Sequence, residues 1–427
     1  MHYYTGVIFN YPILKILIYR MKINYLDIES AFRYYKKMYP ILNRFDRPVG
    51  NTRRKIILKI IWLFNFIHIH RLIRTYLLVK SIYKLDNRIV SFVFSNNHLN
   101  ILNSIRYFEL ELPSYFIGEI RPVGGKDLHI SNKRIFLEAL SIGNLYKLLK
   151  EAESDYILKE NFVRVFKVIG CYKIFTELSK NHKYILNFND HMPYSVLLQD
   201  IAKKNGNISI YMQHASVSDK FPALYHDHNI LFSKDSEDKY QNPSSKDTHI
   251  LFDPRFSSLQ EVKAKDKIEG KILICTNLLD DPKKVKELTI LLQKNYEIVV
   301  RPHPRDKRKD WSKLDLPIST ELSVWKDIKK SEILITNESA VILEGIFCDC
   351  LVYKAAFFGT SLDNYGYLKK GLINREHTSP NSLIMSIENK IVEYDKQKLP
   401  YFIGELKEPK NRIREVFNNI MKKHNAK

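Results

Sequence analysis

The spacing of apolar and polar positions changes character twice along the chain. Up to about residue 85, Ile, Leu and Tyr recur among scattered Lys and Arg with no sustained alternation, which predicts helices. From Arg88 onward, short β-branched runs take over. Strands are expected at 89–94, 184–188, 208–212 and 230–232, and helices at 96–106, 155–178 and from Pro193 to about Lys204. Asn205-Gly206-Asn207 ends the last of these helices. Strand, helix and strand within about 30 residues form a βαβ unit, so the sheet is predicted to be parallel. Residues 241–268 are polar around Pro243 and read as a linker, because the pattern restarts after Gly270. Strands at 271–275, 297–300, 333–335 and 350–353 then alternate with helices at 283–293, 325–330 and 339–347, the rhythm of a doubly wound sheet covered on both faces. A closing helix is expected at 411–422.

The predicted fold class is therefore α/β, with two Rossmann-like doubly wound domains facing a cleft, 88–255 and 268–395. A helical basic region, 1–87, packs on the first domain or forms part of it. A helical return segment, 396–427, closes the chain.

Composition changes this picture only at the amino end. The chain has 427 residues, 45% hydrophobic and 27% charged, which suits two or three folded domains and excludes a disordered chain. Residues 1–90 hold 17 Lys and Arg against 4 Asp and Glu, so +13 of the net +21 lies there. Such asymmetry points to an anionic partner surface, membrane or nucleic acid. The basic residues sit among Ile and Leu and no nucleic-acid motif is present, so nucleic acid is not the expected partner. The most apolar run, 56–79, is broken by Lys59, Asn65, His68, His70, Arg71 and Arg74, too many polar groups for a spanning helix. With Trp62, Phe64 and Phe66 it fits either a core helix or a helix lying on an anionic leaflet. Asn10 and Tyr11-Pro12 interrupt the first apolar run, so no secretory signal is expected, and Cys171, Cys275, Cys348 and Cys350 suit a reducing compartment. The expected location is cytoplasmic, peripheral at the inner face of the cell membrane.

Candidate chemistry gathers where strands end. In the stretch 296–305 a β-branched strand runs into Arg301-Pro302-His303-Pro304-Arg305, and the prolines stop the ladder. His303 is thereby placed at the carboxyl end of a parallel strand, where open α/β sheets bind ligands, with Arg301 and Arg305 suited to an anion. Asn337, Ser339 and Ala340 lie between a buried strand and a helix, so the first-turn amides and the Ser339 hydroxyl can receive a phosphate. The same residues can equally serve as an ordinary cap. Glu344, further along that helix, can accept bonds from a ribose diol or simply face solvent. In the first domain Asp190 and His214 each follow a parallel strand, so both belong to the ligand edge. Asp190 is the favoured general base and His214 the alternative, against a cap for Asp190 and a structural hydrogen bond for His214. His226 and His228 have no third ligand spaced to join them, so no metal is expected.

Arg301-Pro302-His303-Pro304, followed some 30 residues later by Ile335-Thr336-Asn337-Glu338-Ser339-Ala340-Val341-Ile342-Leu343-Glu344-Gly345, resembles the carboxyl-terminal half of GT-B glycosyltransferases. More narrowly it is similar to bacterial sialyl- and polysialyltransferases and to related polymerases of capsule, lipopolysaccharide and teichoic acid assembly. The resemblance covers residues 184–355. It implies that His303 and Ser339 contact the donor phosphate and that Glu344 faces the ribose. Gln213-His214 is similar to a Gln-His-Gly segment of such enzymes, with Ala215 in place of the glycine. The acidic pair followed by glycine that supplies the base in sialyltransferases has no counterpart; the nearest carboxylate is Asp190. The implied function is sugar transfer from a nucleotide-activated donor, CMP-linked in the sialyltransferase case, to a glycan or glycolipid acceptor, with no cofactor. A polyol-phosphate transferase or a nucleotide-sugar epimerase shares the architecture. Outside enzymes, the alternative is a basic membrane- or nucleic-acid-binding protein.

Overall fold

The computed structural model describes residues 23–42, 50–66, 69–70, 73, 76–77, 88–107, 112–122, 127–240, 247–257, 267–304, 306, 308, 310–360 and 363–425. Arg305, the chain start around Asn10 to Pro12 and most of the run 67–87 lie outside the described residues. The chain divides into two compact units, one made of 1–86, 130–182 and 192–207, the other of 87–129, 183–191 and 208–427.

Among its described residues, the first unit is built of helices, with only the end of one strand. Tyr25–Ala31 opens with a capping box in which Asn24 and Asp27 satisfy each other's backbone amides. Helices Asn132–Leu140 and Phe162–Ser179 cross so closely that a Cβ on Gly170 would sit 2.2 Å from the Ile135 carbonyl oxygen. Polar bonds tie the amino-terminal helices to the others: Tyr35 to Asn161, Lys36 to Asp155, and Ser30 and Arg33 to Asp200. The described amino-terminal helices therefore share one unit with segments 130–182 and 192–207, which sequence placed in the first domain.

The second unit holds two sheets. The first comprises β1 (Ile89–Val93), β2 (Ser114–Gly118), β3 (Leu128–Ser131), β4 (Tyr184–Asn187), β5 (Ile208–Met212), β6 (His228–Leu231) and β7 (Asp247–Ile250), in the order β3-β2-β1-β4-β5-β6-β7. The second comprises β8 (Ile268–Cys275), β9 (Glu297–Arg301), β10 (Ser331–Thr336), β11 (Leu351–Ala355) and β12 (Glu376–His377), in the order β12-β11-β10-β8-β9. Pairing is parallel from β2 across to β7 and throughout the second sheet. The expectation of two parallel α/β sheets holds. The first order is that of a dinucleotide-binding fold, the second that of a flavodoxin-like sheet, and each reverses direction once. The reversals fall between β1 and β4 and between β8 and β10.

One face of the first sheet packs on helices Asn96–Tyr107 and Pro409–Asn425. Ile413, Phe417 and Ile420 of the latter join Val93, Leu186, Ile210 and Ile230 in one core. Burying each such side chain contributes about 1.5–3 kcal/mol. The carboxyl-terminal helix thus returns to the first sheet, with Lys423 paired to Asp247. β7 and the short helix Pro254–Ser257 lie inside the stretch expected to be a linker. Residues 241–246 and 258–266 of that stretch lie outside the described residues. The four-residue run Asp-Thr-His-Ile gives an edge strand too little apolar pattern to stand out.

The returning chain passes Gly404, whose φ of +79° belongs to the left-handed region, and bridges Phe252 there. A Cβ at Gly404 would stand 2.4 Å from the Phe232 carbonyl oxygen and 2.6 Å from the Phe252 Cα. Backbone atoms cannot give way as a side-chain tip can. Gly404→Ala should therefore cost on the order of 3 kcal/mol in chemical denaturation; a loss below about 1 kcal/mol would contradict the close approach.

Candidate functional site

In an open parallel sheet the crossovers on either side of the reversal point leave to opposite faces, so a crevice opens beyond the carboxyl ends of the two strands there. Both strand edges carry polar side chains.

At the first, register aligns Phe92 with Asn187 and Asn187 with Tyr211, so the residues just beyond them form one edge. His98 stands in the helix after β1, Asp190 and His191 follow β4, and His214 follows β5. Asp190 is 1% exposed, and both carboxylate oxygens are engaged: Oδ1 lies 2.7 Å from His191 Nδ1, and Oδ2 accepts from the Tyr240 hydroxyl at 3.0 Å. Tyr211 and Tyr240 hydroxyls bond each other at 2.9 Å. Burial pushes the Asp190 carboxyl up, but His191, by charge and hydrogen bond, and the charge of His214 outweigh it and hold it below its ordinary value. The cap of the following helix is Met192, so Asp190 is not capping it.

His98 and His214 meet edge to face with ring centroids 4.8 Å apart. Burial, reinforced by the neighbouring histidines, drives His98 well below its usual value. His214 falls to about 4, chiefly through burial, with His191 and Arg255 adding to the fall and Asp190 opposing it. Both rings are therefore neutral near pH 7. His214 Nδ1 is buried without a hydrogen-bond partner.

At the second crevice the register places Arg301, Cys275, Thr336 and Lys354 in one row. The loops beyond this row are braced through Asp280, which is fully buried. Its carboxylate accepts from the Asn277 amide at 2.7 Å and from Asn337 Nδ2 at 3.0 Å, and its carbonyl accepts from Arg308 Nη1 at 2.9 Å. Arg308 also grips Asp306, whose amide bonds the His303 carbonyl at 2.8 Å. The loop carrying His303 is thus tied to those after β8 and β10. Ser339 accepts from the Val341 amide at 3.3 Å, and Ala340 occupies the cap position without a side-chain bond. Thr276 Oγ1, Thr336 Oγ1 and Asn337 Oδ1 are buried without partners.

Arg301 and Glu344 each meet partners that sequence did not point to. Arg301 Nη1 lies 2.5 Å from Asp327 Oδ2 and also bonds Ser319 and the Glu321 carbonyl, so its charge is taken up in a structural ion pair rather than held ready for an anion. Glu344 is not at a solvated helix surface. It is 8% exposed, and burial raises it to about 7 against the opposing charge of Arg255. Arg255 is itself clamped by Asp253. Glu338 is also raised to about 7 by burial; it accepts from the Tyr365 amide at 3.0 Å and lies 3.8 Å from Lys354.

His98, Asp253, Arg255 and Asp280 were missed by sequence reasoning. The position of His98 four residues after the first predicted strand was a usable signal. Asp253 and Arg255 fell in the supposed linker, and Asp280 was hidden beside the conventional cap Asp281. Among the described residues no group of three or more potential ligands could hold a metal ion.

Two parallel-sheet α/β domains with ligand edges at their reversal points constitute the GT-B architecture. No protein-family model matches the sequence, and no curated protein sequence matches it. Among solved structures, a variant of the wall teichoic acid polymerase TagF soaked with CDPG is similar with a TM-score of 0.50 and 11% identity, over 94% of this chain and 99% of that one. The S. aureus MnaA–UDP co-structure gives 0.48 at 11% identity, over 79% and 96%. The lipopolysaccharide outer core galactosyltransferase WaaB gives 0.43 at 11% identity, over 78% and 99%. At such identity the TagF likeness establishes the fold, which is GT-B.

Glu344 makes the site sensitive to pH. Its carboxyl binds a proton more tightly when folded, so its contribution to native stability is complete below about 4.5, the unfolded value, and is lost as pH rises through about 7. Glu344→Gln should remove up to about 3 kcal/mol of that fall between pH 5 and 8. Urea midpoints across that range test this, and parallel profiles for the two proteins would refute it.

Proposed function

We propose that this chain is a glycosyltransferase that takes a nucleotide-activated donor at the second crevice and transfers its sugar to a hydroxyl presented at the first. The observation that carries the reading is the braced edge around Asp280. It holds the His303 loop and the Ser339 turn in fixed positions and leaves buried threonine and asparagine groups with unused hydrogen-bonding capacity. His303, the Ser339 hydroxyl and the Ala340 amide would hold the donor phosphate, with Glu344 on the ribose side. CMP-sialic acid is one candidate donor. A CDP-linked polyol phosphate would offer its diphosphate to the same groups, but the acceptor oxygen would then attack phosphorus and CMP would leave. The acceptor would be a cell-surface glycan or glycolipid met at the inner face of the cell membrane.

The reaction is a displacement at the anomeric carbon. The acceptor oxygen forms the new bond, the bond to the donor phosphate breaks, and the electron pair leaves with the nucleotide. The acceptor proton goes to the Asp190–His191 pair. Because both Asp190 oxygens are engaged, the carboxylate fits the role of orienting His191 through Nδ1, leaving Nε2 to face the hydroxyl. His214 remains the alternative base.

Thermal-shift titration with CMP, CDP, UDP and GDP should find one nucleotide that raises the midpoint by mass action. His303→Ala should weaken that binding by roughly 1.5–3 kcal/mol with little change in fold stability. Silence from all four nucleotides, or full affinity in folded His303→Ala, would overturn the donor site.

The base is separable from the donor site. His191→Ala and Asp190→Asn should each lower turnover about a hundredfold or more while donor affinity stays within a fewfold of the parent. Near-normal turnover in both, with loss in His214→Ala, transfers the role to His214.

A further inference from the structure

Helix Asn51–Phe66 is apolar on two opposite sides. Arg54, Leu58 and Ile61 point inward and are buried within the first unit. At 100° per residue, Ile56, Ile60 and Leu63 form a second stripe on the outer side, and they are 52%, 47% and 47% exposed. Lys55 and Lys59 flank that stripe on one side and Arg53 on the other, and the helix carries no acidic residue. A core accounts for the inner stripe only.

Beside the outer stripe lies a hollow of about 390 Å³ lined by Lys55, Lys59, Trp62, Tyr146, Lys150 and Glu153. The carboxylate of Glu153 is already met by Arg54 and by Lys150, at 3.3 Å and 2.9 Å. Lys55 and Lys59 make no ion pair among the described residues, so the hollow keeps two unbalanced positive charges next to a half-exposed indole.

We propose that this face docks on an anionic phospholipid bilayer, with Ile56, Ile60 and Leu63 entering the acyl boundary and Lys55 and Lys59 holding lipid phosphates in the hollow beside Trp62. Apolar side chains rimmed by lysines with an indole at their level match the layering of such an interface. A soluble acidic protein would match the lysines but leave the stripe uncovered, and a second copy would set lysines against lysines. The docking reading rests on the peripheral location proposed above, not on the transfer chemistry.

The test is co-sedimentation of the full chain with vesicles of phosphatidylcholine alone and of phosphatidylcholine with phosphatidylglycerol, without donor. Binding should require the anionic lipid, fall in 1 M salt, and shift tryptophan emission to shorter wavelength, a shift lost in Trp62→Phe. Lys55→Ala/Lys59→Ala should weaken partitioning roughly thirtyfold, from about 1 kcal/mol for each basic residue at an anionic surface. Ile60→Asp should abolish it, with nucleotide thermal shifts unchanged in both variants, so that failure here is distinct from failure of the donor site. Equal binding to neutral vesicles, no binding to either, or unchanged binding by the folded lysine variant would overturn the proposal. So would displacement from vesicles by millimolar inorganic phosphate, which would make the hollow a small-anion site. Dimerisation abolished by Ile60→Asp would assign the stripe to a second copy instead.

Discussion

Parallel pairing is the constraint on which the second unit depends. Two adjacent parallel strands cannot be joined by a hairpin, so each connection crosses over, and a sheet covered on both faces must reverse its order somewhere. The reversals at β1/β4 and β8/β10 bring loop ends and helix starts together beyond the carboxyl ends of the strands. The helices then have to lie close. A Cβ on Gly345 would sit 2.4 Å from Leu334 Cδ2, so glycine at that point of helix Val341–Phe347 lets it press on β10 and fixes where Ser339 and Glu344 stand.

Asp280 does for the second edge what hydrogen-bonded strands do for the sheet. A carboxylate without solvent is costly unless its lone pairs are used. Here the cost is offset by bonds from two of the loops it must hold, while its backbone carbonyl takes the third. Gly359 closes against it, its own Cβ position lying 2.8 Å from the Leu279 carbonyl oxygen, so the fourth neighbouring turn is fixed by shape rather than by charge. Arg301 belongs to the same logic. Placed at a strand end it could have served a ligand, but Asp327 and Ser319 are nearer and turn it into a strut beneath the His303 loop.

The sequence made the second sheet legible because β8, β10 and β11 are near-continuous apolar runs separated by short helices, and the residues at their ends could be located by counting. Asp190, His214 and His303 could be assigned to ligand edges for that reason. What sequence could not supply was the direction of each side chain. Arg301 turning to Asp327, Asp190 turning to Tyr240, and Glu344 turning inward toward Arg255 all depend on partners 25 or more residues away in the chain. Short edge strands such as β7 and β12 were invisible because a strand of two to four residues carries no period. The grouping of the described amino-terminal helices with 130–182 rests on bonds like Tyr35 to Asn161, which no local pattern announces.

Arg255 links the two edges electrostatically. Its charge depresses His214 on the first side and opposes the rise of Glu344 on the second, while Asp253 balances it at close range. With Glu344 near 7, the three groups carry between zero and one net negative charge at neutral pH. An anion arriving nearby would raise Glu344 further, because like charges disfavour ionisation, and a proton would be taken up on binding. His214, about 4, would stay neutral throughout and keep an imidazole nitrogen able to accept a proton. One guanidinium thus lowers the proton affinity of the imidazole on one side and limits the rise of the carboxyl on the other.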